Sequence, residues 1–198
     1  YIDTDRNDIW EAALMIGNDS DHVSDAARNI VEEPDNDFAV APGGDMRIST
    51  PGPRADQETY SIFNDSRAEK PIGLEISQRS YSWTSAADNG YVVLEYIVTN
   101  TTDSNINNLY FGSFFDWDIY DVGGYGSNKG GFSAVENLGY MYAYYSGTAS
   151  KFRGVSIINP EGTASFRLRR NPLIGPSLYY AEADKFANLS SGIVTFDS

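Results

Sequence analysis

The chain has 198 residues, 41% of them hydrophobic and 14% aromatic, enough to bury a substantial core and to exclude disorder of the whole. Cysteine is absent and His22 is the only histidine, which excludes a disulfide scaffold, thiol catalysis, zinc–thiolate centres and a multi-histidine metal site within one chain. A net charge of −14 argues against nucleic acid and anionic membranes as partners, and no apolar run approaches the ~18 residues of a membrane-spanning helix.

The charge is uneven. Residues 1–70 carry 16 acids against 6 bases, and residues 71–198 carry 12 against 8. An acidic surface without cysteine fits a secreted bacterial protein in calcium-rich or saline surroundings, and equally the cytosol. The chain opens on polar text without an initiator Met, which reads as an internal piece or a processed product. The expectation is one domain over 1–198, continuing past Ser198, because GIVTFDS carries no closing signal.

Along the chain, WEAALMIG at 10–17 alternates Trp10, Ala12, Leu14 and Ile16 and predicts a strand, with a short helix as the competing reading. DSDHVSDAARN at 19–29 reads as a loop or single turn. Met46, Ile48 and Thr50 read as the start of a strand closed by Pro51-Gly52-Pro53, and 54–71 reads as an exposed excursion anchored by Tyr60, Ile62 and Phe63. Ile72 to Trp83 is a further strand, and Asp88-Asn89-Gly90 supplies a turn.

The most regular text runs from Tyr91 to Asp121. Val92, Leu94, Tyr96 and Val98 share one face; after TTDSNINN, so do Leu109, Phe111, Ser113, Phe115, Trp117 and Ile119. Period-two alternation with β-branched and aromatic residues predicts two strands, and an antiparallel hairpin over 91–119 is their simplest connection. The Gly-rich GGYGSNKGG at 123–131 reads as a flexible surface loop, since Lys129 stands in the wrong place for a phosphate loop. LGYMYAYYSG, RGVSII and the Phe166–Leu168 alternation are later strands. Ala181 to Leu189 is the one convincing helix, ended near Gly192. Strands at this spacing predict an all-β fold, a mainly antiparallel β-sandwich with one short C-terminal helix.

Asp116, Asp118 and Asp121 cluster at the end of the second central strand, followed by Asn128. Hard cations want six to eight oxygens, so these acids could hold a structural calcium, although the spacing lacks the glycine and glutamate of a full calcium loop. The alternative is a rim of solvated carboxylates. Two carboxylates about 6.5–7 Å apart on one strand also raise glycoside hydrolysis, with Glu136 as a further partner. His22, flanked by Asp19, Asp21 and Asp25, lacks a nucleophile elbow and reads as an exposed loop histidine. Tyr140, Tyr142, Tyr144, Tyr145 and Trp83 are either sandwich core or a sugar-stacking platform. Arg167, Arg169 and Arg170 form the basic cluster expected to pair with the acidic N-terminal third.

Several stretches together resemble a known region: MIGNDSDHVSDAARN, DFAVAPGG, the QRSYSW of 78–83, YVVLEYIVTNTT followed by NLYFGSFFDWDI, and AEADKFANLSSGI. They are similar to a β-rich accessory region of large secreted bacterial proteins, notably subtilisin-like serine proteases, in which it lies outside the catalytic domain. NLYFGSFFDWDI is the most specific of these pieces. The aspartate, histidine and serine segments of the protease are absent, so no catalytic residue carries over. The resemblance implies a non-catalytic extracellular accessory or interaction domain of an exported parent, with the other domains of that chain or a protein ligand as partners; the Tyr and Trp residues add a carbohydrate as a further candidate partner. A carbohydrate-binding module is the alternative, and a glycosidase-like domain the third reading.

Overall fold

The computed structural model describes residues 8–31, 33–158, 167–168, 181–190 and 195–196. Its strands are, in chain order, β1 (Glu11–Asp19), β2 (His22–Asp25), β3 (Ala39–Val40), β4 (Arg47–Ser49), β5 (Gln57–Asn64), β6 (Leu74–Ser82), β7 (Val93–Asn100), β8 (Tyr110–Asp116), β9 (Asn128–Ser133), β10 (Leu138–Tyr145), β11 (Thr148–Ser156), β12 (Arg167–Leu168) and β13 (Thr195–Phe196). One short helix, α1 (Glu182–Ser190), follows near the C-terminus, so the fold is all-β as its alternating text predicts. Among the described residues no helix is long and apolar enough to cross a membrane.

Two antiparallel sheets form the packed centre. One has the order β2-β1-β8; the other runs β3-β5-β6-β7, with β4 also on β5. Ile16 from the first sheet is buried with Leu74 and Ile76 of the second, and Leu14, Phe63, Tyr96 and Val98 close around them. Apolar side chains on the inward face of each sheet leave water by meeting face to face. The opposite face of β1 is buried too. Ala13 and Met15 pack with Ala27, Phe114 and Leu189 of α1. The Gly17 and Gly112 positions make room for that helix: a Cβ would stand 3.1 Å from a Phe186 ring carbon at Gly17 and 2.7 Å from a Leu189 methyl at Gly112.

The strands β7 and β8 are not a hairpin. β7 pairs with β6 across the Asp88-Asn89-Gly90 region, while β8 pairs with β1 in the facing sheet. Their side chains meet across the sandwich, the Tyr96 and Phe111 rings 5.2 Å apart. Alternation fixes which face is buried; it carries no information on which backbone supplies the hydrogen bonds. Three further expectations are corrected. DSDHVSD contains β2, 54–71 contains the interior strand β5, and Asn128–Ser133 of the Gly-rich stretch is β9. Trp10, placed with Leu14 and Ile16 by period two, lies outside β1 and is 68% exposed.

A third sheet, β11-β10-β9, is formed by consecutive antiparallel neighbours. Its Ala143 is buried, and the 3₁₀ turn Tyr125–Ser127 packs against β10. The pair β12–β13 is parallel. Phe166, Arg169 and Arg170 lie outside the described residues.

Ile76 is fully buried between Phe63 and Val98 in register, whereas Val92, assigned to the core by the hairpin reading, is 59% exposed. Ile76→Ala should lose about 2–5 kcal/mol and Val92→Ala no more than about 0.5 kcal/mol. Urea unfolding of the two variants measures both.

Candidate functional site

The acidic strand end is held apart by its partners. Glu11 and Asp116 stand directly opposite each other in the β1–β8 ladder, where like charges repel. Arg28 resolves the conflict: its Nε donates to Glu11 and its Nη2 to Asp116 at 3.1 Å. Burial raises the Asp116 carboxyl above its ordinary range, with Arg28 opposing the rise. Asp118 is fixed through its backbone N–H, which donates to the Asp8 carbonyl at 3.1 Å. Asp121 accepts from the Ser150 hydroxyl and from the Val122 N–H, and these bonds hold its carboxyl below the usual range. Asn128 is turned back on the backbone of Ile119, accepting from its N–H and donating to its carbonyl, both at 2.9 Å. The three aspartates and Asn128 therefore serve four different bonding arrangements. Glu136 is exposed in the β9–β10 turn, and its backbone carbonyl accepts from the Ser156 hydroxyl.

His22 opens β2 rather than lying in a free loop. Its Nδ1 is 2.9 Å from both carboxylate oxygens of Asp19, whose pKa is lowered chiefly by this bond.

The described carboxylates that do converge are Asp25, Asp35 and Glu182, with oxygens close enough to share one cation. That cation is a side chain. Lys185 Nζ lies 2.9 Å from both Asp25 oxygens, 2.6 Å from Asp35 and 3.3 Å from Glu182. Lys185 is 2% exposed and Asp25 fully buried. An isolated buried charge is prohibitive, and the ammonium is tolerated because its donors all meet carboxylates. Asp25 is satisfied further by the Ala27 N–H at 2.8 Å, and its own N–H donates to Asp37 at 2.9 Å.

Strand periodicity builds this centre. Asp25 is paired with Met15 and faces α1; its neighbour Ser24 is paired with Ile16 and faces the other sheet. There the Ser24 hydroxyl donates to buried Asp65, which also accepts the N–H groups of Ile72, Gly73 and Leu74 at 2.7–3.1 Å. Sequence reading missed Lys185, Asp25, Asp35, Glu182, Asp65 and Arg28. One signal was available: Lys185 stands four residues before Leu189 and beside Phe186, on the apolar stripe of the helix.

Several carboxylates surround one ammonium, so the cluster is short of positive charge. Burial pushes the Asp25 carboxyl up to about 7, against the pull of Lys185 and with help from Glu182 and Asp35. Burial also raises Asp37 and Glu182. For Lys185 burial acts downward, yet Asp25, Asp35 and Glu182 together raise its pKa above the ordinary lysine range.

The aromatic residues divide between places. Tyr140, Tyr142 and Tyr144 share one face of β10, and Phe152 of β11 joins them, its ring 5.1 Å from that of Tyr142. Tyr145 points to the other face, and Trp83 pairs with Tyr91 at 5.6 Å after β6. Neither belongs to the set.

No protein-family model, curated protein or solved structure matches the chain.

Lys185→Met should destabilise the protein by about 3–5 kcal/mol, since it leaves buried carboxylates without their cation. Adding Asp25→Leu should recover part of that loss; a double-mutant cycle by urea unfolding measures it. The pH dependence has a definite sign. The unfolded chain releases the Asp25 proton near 3.8 and the native chain near 7, so between these values the native state holds more protons. Stability should fall as pH rises through that window, by at most about 1.4 kcal/mol per pH unit for one proton. Urea midpoints at pH 5 and pH 8 test this, and Asp25→Asn should flatten the slope.

Proposed function

We propose that this chain is a non-catalytic accessory or interaction module of a larger secreted hydrolase. The observation that carries the reading is the half-exposed aromatic face of the β9–β11 sheet, set beside a sandwich whose buried acids already have structural partners. An aromatic face left in contact with water is the usual chemistry of a recognition surface. General acid–base work on a glycosidic bond requires two carboxyl groups flanking the substrate. Asp116 is engaged by Arg28, and Asp121 by Ser150. That arrangement favours binding over hydrolysis. The class of parent, a subtilisin-like protease, comes from the resemblance of NLYFGSFFDWDI and the shorter matching stretches. In this reading the module acts outside the cell, against other domains of its parent or against an extracellular ligand.

Incubation of the 198-residue chain with casein and with soluble polysaccharides, followed for new amino groups and reducing ends, should give no hydrolysis. Turnover that disappears in Asp116→Asn or His22→Ala would overturn the reading.

A further inference from the structure

We propose that the face formed by Tyr140, Tyr142 and Phe152 binds an uncharged polysaccharide by stacking sugar rings on the aromatic rings. This names the ligand class of the surface on which the binding-module reading rests.

The geometry begins with glycine. In the three-stranded register Tyr140 stands between Gly131 of β9 and Gly154 of β11, so no side chain props it up on either side. Its ring lies over Gly131: a Cβ there would fall 2.5 Å from both Cζ and the hydroxyl oxygen. The ring is thus laid against the sheet, and Tyr140 remains half-exposed. Neither glycine position tolerates a larger residue without displacing that ring or the neighbouring backbone.

The second element is a β-bulge. The β10–β11 register shifts between Met141 and Ala143, so that Lys151 and Phe152 together oppose Tyr142. Lys151 takes a left-handed backbone conformation with φ of 47°, and the bulge brings Phe152 beside Tyr142. Tyr142 lies within 30° of parallel to both Tyr140 and Phe152, at centroid distances of 6.2 and 5.1 Å. Phe152 is nevertheless 56% exposed. Tyr140 and Phe152 are inclined by 50° at 6.3 Å, so the rings form a close-set, gently bent strip, and its wet side can take successive ring-shaped units of a chain.

The rim identifies the ligand. Around the rings in register stand Gly131, Gly154, Lys129, Ser133 and Ser156, which are small or polar, with Leu138 as an aliphatic neighbour at the Tyr140 end. Lys129 carries its ammonium 3.7 Å from the Tyr144 centroid, marking one end of the strip. A protein partner of standard affinity buries an apolar anchor set within a broad area. A pyranose instead presents an apolar C–H face to a ring and hydroxyls to polar edges, which is the pattern here. The net charge of −14 disfavours polyanionic glycans and nucleic acid.

The test uses the full 198-residue chain with hydroxyethylcellulose, mixed-linkage β-glucan, galactomannan and soluble starch, by affinity electrophoresis and calorimetry. At least one should retard the protein, and Tyr142→Ala and Phe152→Ala should each weaken binding tenfold or more. Trp83→Ala, whose aromatic pair with Tyr91 lies in the connection between β6 and β7, should bind as the unsubstituted chain does. Phe152 is exposed enough that its replacement leaves folding intact, which circular dichroism checks. Failure of all four glycans, or binding unchanged in both aromatic variants, overturns the proposal. Release of reducing ends from the same probes would instead overturn the non-catalytic reading, so the two failures are distinguishable.

Discussion

One buried ammonium holds together parts of the chain that share no local relationship. Lys185 joins the end of β2, the loop carrying Asp35 and the first turn of α1, across 160 and 150 residues of sequence in the first two cases. Removing a charge from water costs several kcal/mol, and the attraction between the partners offsets this only when the geometry is good. The bond lengths of 2.6–2.9 Å to Asp25 and Asp35 meet that condition. With the helix seated, the outer face of β1 is covered, and both faces of that strand are buried.

The same solution recurs at two other points. Arg28 neutralises the Glu11–Asp116 opposition within a ladder, and Asp65 gathers three backbone N–H groups and a hydroxyl from the facing sheet. Much of the acidic excess in the N-terminal third is therefore internal structure as well as surface. Of the acids singled out in the sequence, Asp116 is engaged within the sandwich by Arg28 and Asp121 is bonded to Ser150 of the third sheet. The β9–β11 sheet differs, because its aromatic face stays in contact with water while Asp121–Ser150 and Asp8–Arg153 contacts tie it to neighbouring segments. A firmly held scaffold carrying an open face is suited to recognition, as ordered surfaces lose less freedom on binding.

Alternation and helix propensity already specify that the chain is built from strands, that β1, β6, β7, β8 and β10 lie where alternating text places them, and that one helix follows late. Those features depend on neighbours two or four residues apart, and periodicity reports them directly. Which strands pair emerges from the three-dimensional packing alone; it is not written in the local text. Val98 and Phe111 alternate equally well in a hairpin and across a sandwich, because burial is non-directional while backbone pairing is not. The same packing selects which polar residues are inside. Nothing local distinguishes Asp25 from Asp21, yet one meets Lys185 in the interior and the other meets Lys70 at the surface. A charge can be buried only where its counter-charge arrives, and that arrival depends on contacts between distant parts of the chain.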